Sequence, residues 1–134
     1  MTENKKIIDL AIKARGNAYS PYSHFSVGAT LLCDDGEIYT GCNVECSSYG
    51  DTVCAERVAL FKALSEGKRA FTAMAVVGGC EEISAHVTPC GTCRQVLSEH
   101  CKSDFRIITF DGKEQREHTL DSLLPQGFNK ESIK

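Results

Sequence analysis

Three cysteines and one glutamate have the side-chain types and spacing to do chemistry in this chain. They fall in two short stretches, Thr52-Val53-Cys54-Ala55-Glu56-Arg57 and Pro89-Cys90-Gly91-Thr92-Cys93-Arg94. Cys54, Cys90 and Cys93 offer three thiolates to a zinc ion. Glu56, two residues from Cys54, is poorly placed as a fourth ligand. Structural zinc sites close with four protein ligands, whereas catalytic sites keep three and leave a position for water. The pattern predicts an open site in which Glu56 moves protons.

Both stretches lie where a loop enters a predicted helix. Helix N-termini carry about half a positive charge and unpaired N–H groups. Three thiolates around a divalent ion leave a net negative charge. The two helix ends and the neighbouring Arg57 offset part of it by hydrogen-bonding the sulfurs. Cys90 and Cys93 project from the same side of one turn. Cys54 and Glu56 would diverge by about 200° on a regular helix. They converge on one metal only if Cys54 sits at the helix terminus.

Other readings of the same residues stand beside this one. Cys90 and Cys93 alone fit a thioredoxin-type redox pair. A closed four-cysteine site would recruit Cys46 or Cys80. Cys93 shares a stripe with Val96 and Leu97 and fits a core position, and Glu56 fits a surface carboxylate favoured by the helix dipole. The conjunction favours the open site. Cys-x-Glu followed, a few tens of residues on, by Pro-Cys-x-x-Cys is an all-cysteine form of the zinc deaminase pattern.

The elements that must position these residues follow from periodicity. Lys5 to Arg15 reads as an amphipathic helix with Ile7, Ile8, Ala11, Ile12 and Ala14 on one stripe, stopped by Gly16. A Ser-Pro loop leads into a strand, Phe25 to Cys33, whose Phe25, Val27, Ala29, Leu31 and Cys33 share a face. Asp35-Gly36 predicts a two-residue hairpin turn into a second strand, Glu37 to Cys42. Cys54 to Glu66 is apolar nearly all round, as in a centrally buried helix. Ala70 to Val77 reads as an internal strand closed by Gly78-Gly79, Thr92 to His100 as a short helix and Phe105 to Phe110 as a strand. Asp111-Gly112 suggests a hairpin into a weaker strand around Gln115 to His118, and Leu120 to Leu124 a last helical turn. The expected fold is α/β, a three-layer α/β/α sandwich around a mixed five-stranded sheet.

The 134 residues fit a single domain spanning 1–134. With 15 basic and 18 acidic residues the net charge is −3, with no basic stripe of the kind nucleic-acid binders carry. No apolar run reaches the roughly 18 residues of a membrane span. The stretch Met1-Thr2-Glu3-Asn4-Lys5-Lys6 lacks the apolar centre of a secretory signal, which points to the cytoplasm. In that compartment the five remaining cysteines, Cys33, Cys42, Cys46, Cys80 and Cys101, read as buried or semi-exposed free thiols. His24, His86, His100 and His118 read as ordinary surface or packing residues.

Several blocks in order give the chain a specific resemblance: Tyr19-Ser20-Pro21-Tyr22-Ser23-His24-Phe25-Ser26-Val27-Gly28-Ala29, Gly41-Cys42-Asn43-Val44-Glu45, Cys54-Ala55-Glu56-Arg57, Pro89-Cys90-Gly91-Thr92-Cys93-Arg94-Gln95, and Leu123-Leu124-Pro125 with Phe128. Over nearly its whole length it resembles the small homotetrameric cytidine deaminases of pyrimidine nucleoside salvage. The resemblance implies one zinc per subunit on Cys54, Cys90 and Cys93, with Glu56 carrying protons as water displaces the amine at C4. The products would be uridine or deoxyuridine, and ammonia. It also implies that Asn43 and Glu45 bind the ribose hydroxyls, that Phe25 packs on the base and that the Ala55 backbone donates to the pyrimidine edge. From the residues alone, Phe25 reads as strand core. Tyr49 and Phe128 would reach into a neighbouring subunit's pocket, so a tetramer would complete each site. Two departures lie in the loop beside the sugar pocket: Cys46-Ser47 where the family commonly reads Asn-Ala or Asn-Ser, and Asp51 where an uncharged residue is usual. They leave room for a deaminase of another aminopyrimidine nucleoside or a nucleoside antibiotic. A non-catalytic zinc-stabilised binding module is the more distant alternative, and it has no need of Glu56, Asn43 and Glu45.

Overall fold

Ile7, Ile8 and Ala11 form the buried stripe of helix α1 (Thr2–Arg15). The computed structural model describes residues 2–133; Met1 and Lys134 lie outside the described residues. α1 begins earlier than its apolar periodicity predicts because polar residues tie its first turn down. Asn4 is buried and donates from Nδ2 to Gln115 Oε1 at 3.1 Å, and Glu3 pairs with Arg106 at 3.0 Å. After α1 come β1 (Ser26–Cys33), β2 (Ile38–Cys42), α2 (Ala55–Ser65), β3 (Phe71–Gly79), α3 (Gly91–His100), β4 (Arg106–Phe110), β5 (Gln115–Thr119) and the short α4 (Leu120–Leu123).

The strands form one sheet in the order β2-β1-β3-β4-β5. All neighbours are antiparallel except β3 and β4, which run parallel with α3 in the crossover between them. Side chains alternate between two cores. Leu31, Met74, Val76 and Ile107 face α2 and α3, while Leu32, Ala73, Ala75, Val77 and Ile108 face α1. β3 reads as an unbroken apolar run because both its faces are covered. The expected three-layer α/β/α arrangement is the observed one.

Three local expectations change. The first hairpin closes through Cys33 N–H to Glu37 O at 2.9 Å, so its loop has three residues, 34–36, rather than two. Gly36, at φ +91°, supplies the left-handed residue that such a loop requires. Gly78 and Gly79 end β3 as its last two residues rather than following it, paired with Val27 and Ser26. Without side chains there, the following loop folds back over the strand end, with Phe25 and Val87 crossing above Gly78. α2, apolar nearly all round, is not buried all round within the chain. Ala55, Glu56, Ala59, Leu60 and Ala63 are buried, whereas Phe61 is 45% exposed.

One glycine sets the position of α2. A Cβ on Gly41 of β2 would lie 2.5 Å from Ala55 O and 2.7 Å from Ala59 N. Backbone meets backbone there, so the first turn of α2 rests directly on the sheet. Gly41→Val is expected to push that turn outward and destabilise the fold by about 1–3 kcal/mol. Urea denaturation checks this, and an unchanged midpoint would mean that the contact is slack.

Candidate active site

The first turns of α2 and α3 meet, and each begins on a cysteine. Cys54 is the N-cap of α2 (φ −73°, ψ 153°) and Cys90 the N-cap of α3 (φ −67°, ψ 170°). Both are extended, so their side chains turn across the helix ends. Cys54 therefore sits at the terminus, the placement that lets it share one site with Glu56. Cys93, in the first turn of α3, is fully buried.

The three sulfurs lie within 4.8 Å of one another, and Cys54 Sγ is 3.8 Å from Cys90 Sγ. Tetrahedral zinc with Zn–S bonds of about 2.3 Å spaces its sulfurs about 3.8 Å apart. Donor type and spacing thus fit zinc. Among the described residues no fourth cysteine, histidine or carboxylate joins this cluster, so neither Cys46 nor Cys80 closes it. Cys54 joins the Cys90–Cys93 pair, which makes a three-sulfur site rather than a simple redox dithiol.

The thiols are unequal. The Cys54 thiol is pulled well below its ordinary pKa, first by the hydrogen bond from Cys93 and then, against the opposing effect of burial, by Arg57 and Cys90. Cys93, as the partner that keeps its proton, is pushed up. Arg57 Nη2 lies 3.5 Å from both Cys54 Sγ and Thr52 O. Metal binding displaces the remaining thiol protons. Glu56, at 4% exposure, is not a surface carboxylate. Burial raises its pKa to about 7, against a smaller lowering by its own backbone N–H, and the Cys54 charge adds to the rise. A carboxyl poised there can both hold and release a proton at neutral pH.

A second group lies beside this corner. Residues 43–45 run as a short extended segment. Tyr19 N–H donates to Asn43 O at 2.9 Å, and Glu45 N–H donates to Tyr19 O at 2.8 Å. Val44 and Val53 exchange two hydrogen bonds of 3.0 Å, tying the segment to the approach to Cys54. Asn43 and Glu45, two residues apart, share one side of it. Asn43 Oδ1 accepts from Val27 N–H at 2.9 Å, and its Nδ2 donates to Phe25 O at 2.8 Å. Glu45 lines a cleft of about 290 Å³ with Tyr22, Ser23, Tyr49 and Thr52.

The remaining predicted residues are placed as follows. Phe25 precedes β1 and is 37% exposed, lining a neighbouring cleft with Gly78 and Val87, so it is not strand core. Ala55 is buried, and as first residue of α2 its N–H has no partner within the helix. Tyr49 is 72% exposed, with its ring edge-on to Tyr22 at 5.9 Å. Phe128 is 61% exposed, and its carbonyl accepts from Gln95 Nε2. Cys46 donates from its backbone to Thr52 Oγ1 at 3.2 Å and turns its thiol towards Asp51 O, while Asp51 is exposed. All eight cysteines are free thiols; Cys33 is buried, Cys42, Cys46 and Cys101 are half-buried, and Cys80 is exposed rather than semi-exposed. His86 packs, as expected, with Nδ1 2.6 Å from Thr109 Oγ1.

Sequence reasoning gave no role to Arg94. Its guanidinium donates to Pro89 O (2.6 Å), Thr88 Oγ1 (2.8 Å) and Leu123 O (2.8 Å), gripping the residues before Cys90. Nothing in its spacing marks it; only the fork geometry shows the role. Arg94→Ala is expected to weaken zinc retention by about 10–100-fold, measured by chelator competition. Arg94→Lys should not restore it, because a single ammonium cannot span three acceptors.

Residues 1–109 match the family model described as cytidine and deoxycytidylate deaminase zinc-binding region. A cytidine deaminase of Sporosarcina psychrophila is 48% identical over 130 residues, covering 96% of this chain and 93% of that protein. One from Halalkalibacterium halodurans is 47% identical over 133 residues, covering 98% of each. The crystal structure of a cytidine deaminase from Burkholderia pseudomallei superposes with a TM-score of 0.86 at 43% identity, covering 92% of this chain and 98% of that one.

Proposed function

Since the chain belongs to the cytidine and deoxycytidylate deaminase family, we propose that it hydrolyses cytidine, and deoxycytidine with it, to the uracil nucleoside and ammonia. The observation that carries this reading is a three-thiol cluster with no fourth protein ligand among the described residues, next to a buried carboxyl whose pKa lies near neutrality. Cys54, Cys90 and Cys93 would hold the zinc. Bound there, zinc supplies Lewis acidity that lowers the pKa of water from 15.7 to roughly 7.

The protein's own groups do the rest. Glu56 takes a proton from water as the oxygen bonds to C4 and passes it to N3 of the ring. The second water proton then goes through Glu56 to the exocyclic nitrogen as the C4–N bond breaks. Oxygen remains at C4, N3 keeps its hydrogen and ammonia leaves, so atoms and charges balance. Ala55 N–H, free at the helix start, suits the pyrimidine edge. Asn43 and Glu45 suit the ribose hydroxyls, because one carries both donor and acceptor and the other is anionic. Phe25, exposed beside Gly78, suits the face of the base.

Tyr49, Phe61 and Phe128 expose large apolar side chains that a second copy would cover. This supports a homotetramer with shared active sites. Eight free thiols suit the reducing cytoplasm and a role in pyrimidine salvage.

The test is ultraviolet absorbance on cytidine, deoxycytidine and ring-modified cytidines, with sedimentation velocity on the same zinc-loaded sample. Turnover of cytidine to uridine is expected. Failure on every aminopyrimidine nucleoside at one zinc per chain would overturn the reading.

A further inference from the structure

The Glu45 carboxylate is held in place by its own chain. Its Oε1 accepts from the backbone N–H groups of Tyr22 (3.0 Å) and Ser23 (3.1 Å), and its Oε2 accepts from the Ser23 hydroxyl. Ser23 Oγ accepts in turn from Phe25 N–H at 3.0 Å. The donors therefore run in one direction, from the Phe25 amide through the Ser23 hydroxyl to Glu45, and such chains polarise one another. A carboxylate has about four lone-pair sites. Three are occupied, which leaves one acceptor, on Oε2.

Ser23 is itself exposed, so its hydroxyl is not there to satisfy a buried core. It lines the same cleft as Glu45. Its bonds to Glu45, with the hydroxyl as the largest cause, hold that carboxyl below the usual carboxylate range. Glu45 is thus anionic and pinned at both oxygens, with its Oε1 lone pairs spent on backbone.

We propose that Ser23 is a positioning residue for sugar recognition: its hydroxyl and N–H fix the Glu45 carboxylate so that a single Oε2 acceptor faces one ribose hydroxyl. The proposal rests on the reading of Glu45 as a sugar-binding group. It concerns the binding of the sugar rather than the chemistry at C4, and it makes no contact between Ser23 and the reacting atoms.

The experiment compares KM and kcat on cytidine and on 2′,3′-dideoxycytidine, which offers Glu45 no ring hydroxyl. Zinc-loaded wild type, Ser23→Ala, Ser23→Thr and Glu45→Ala are measured, with zinc content and melting temperature as controls. Ser23→Ala is expected to raise KM for cytidine about 10-fold, the loss of a hydrogen bond to a charged group. Its kcat should change by less than about 2-fold, as for an interaction common to ground and transition states. KM for the dideoxynucleoside should stay within about 2-fold, and Ser23→Thr, which keeps the hydroxyl, should restore cytidine binding. An equal rise for both nucleosides, or an unchanged cytidine KM in Ser23→Ala while Glu45→Ala raises it, overturns the role of Ser23 and leaves that of Glu45. An unchanged cytidine KM in Glu45→Ala overturns the sugar-binding reading and the proposal with it.

Discussion

Glu56→Gln is expected to keep one zinc per chain and to lose turnover by about 10²–10⁴-fold. The amide matches the carboxyl in shape and sits among the same neighbours, so the cysteine cluster has no reason to move. It cannot accept and return a proton, however, and at 4% exposure the side chain is screened from bulk solvent. Zinc by atomic absorption and turnover by ultraviolet absorbance, on one sample, separate the two effects. Full activity with bound zinc would remove Glu56 from the mechanism. A second measurement uses the metal-free protein. There the Glu56 carboxyl holds its proton more tightly folded, with a pKa of about 7, than at its ordinary value of 4.5. Its contribution thus favours the fold fully below pH 4.5 and is lost as pH rises through about 7. The metal-free wild type should lose melting temperature relative to Glu56→Gln across that window.

Cys93→Ala is expected to empty the site. Cys93 is the most deeply buried of the three sulfurs and lies in the first turn of α3. Two thiolates cannot hold zinc as three do, so affinity should fall by more than the ~10–100-fold that a supporting contact costs. Zinc per chain and turnover should fall together, with the far-ultraviolet circular dichroism retained because Ala fits the first turn. Cys93→Ser should fail in the same way, since a hydroxyl does not ionise as a thiol does. Cys80→Ala is the control. Cys80 is exposed and outside the cluster, and that variant should keep its metal and its rate. A fully loaded Cys93→Ala protein would mean that the donor set has been misassigned.

Much of the fold was legible because its signals are local. The unbroken run of β3 and the stripe of α1 follow from which faces are covered, while β1 alternates by residue type although both its faces are covered from Gly28 to Cys33. The metal corner was legible for a related reason: thiols near helix starts leave few geometries, and Cys54 occupies the terminal position that convergence with Glu56 requires. What escaped depends on contacts distant in sequence. Phe25 continues the alternation of β1 by residue type, yet the strand starts one residue later and its ring lies over Gly78. Phe61 belongs by composition to a buried helix, but this chain alone does not cover it. Ser23 and Arg94 carry no periodic or spacing signal, because their roles reside in where their donors point.

The paired bonds between Val44 and Val53 tie the segment proposed to hold the sugar to the path to Cys54. The span between handle and reactive corner is set by backbone rather than by flexible side chains. A nucleoside would suit that gauge, because its glycosidic bond holds base and ribose at a constant offset. Free cytosine presents the same ring without the handle, and forfeits the remote binding energy that seats the ring. On the proposed reading, the rung makes the whole nucleoside, rather than its base, the unit of measure.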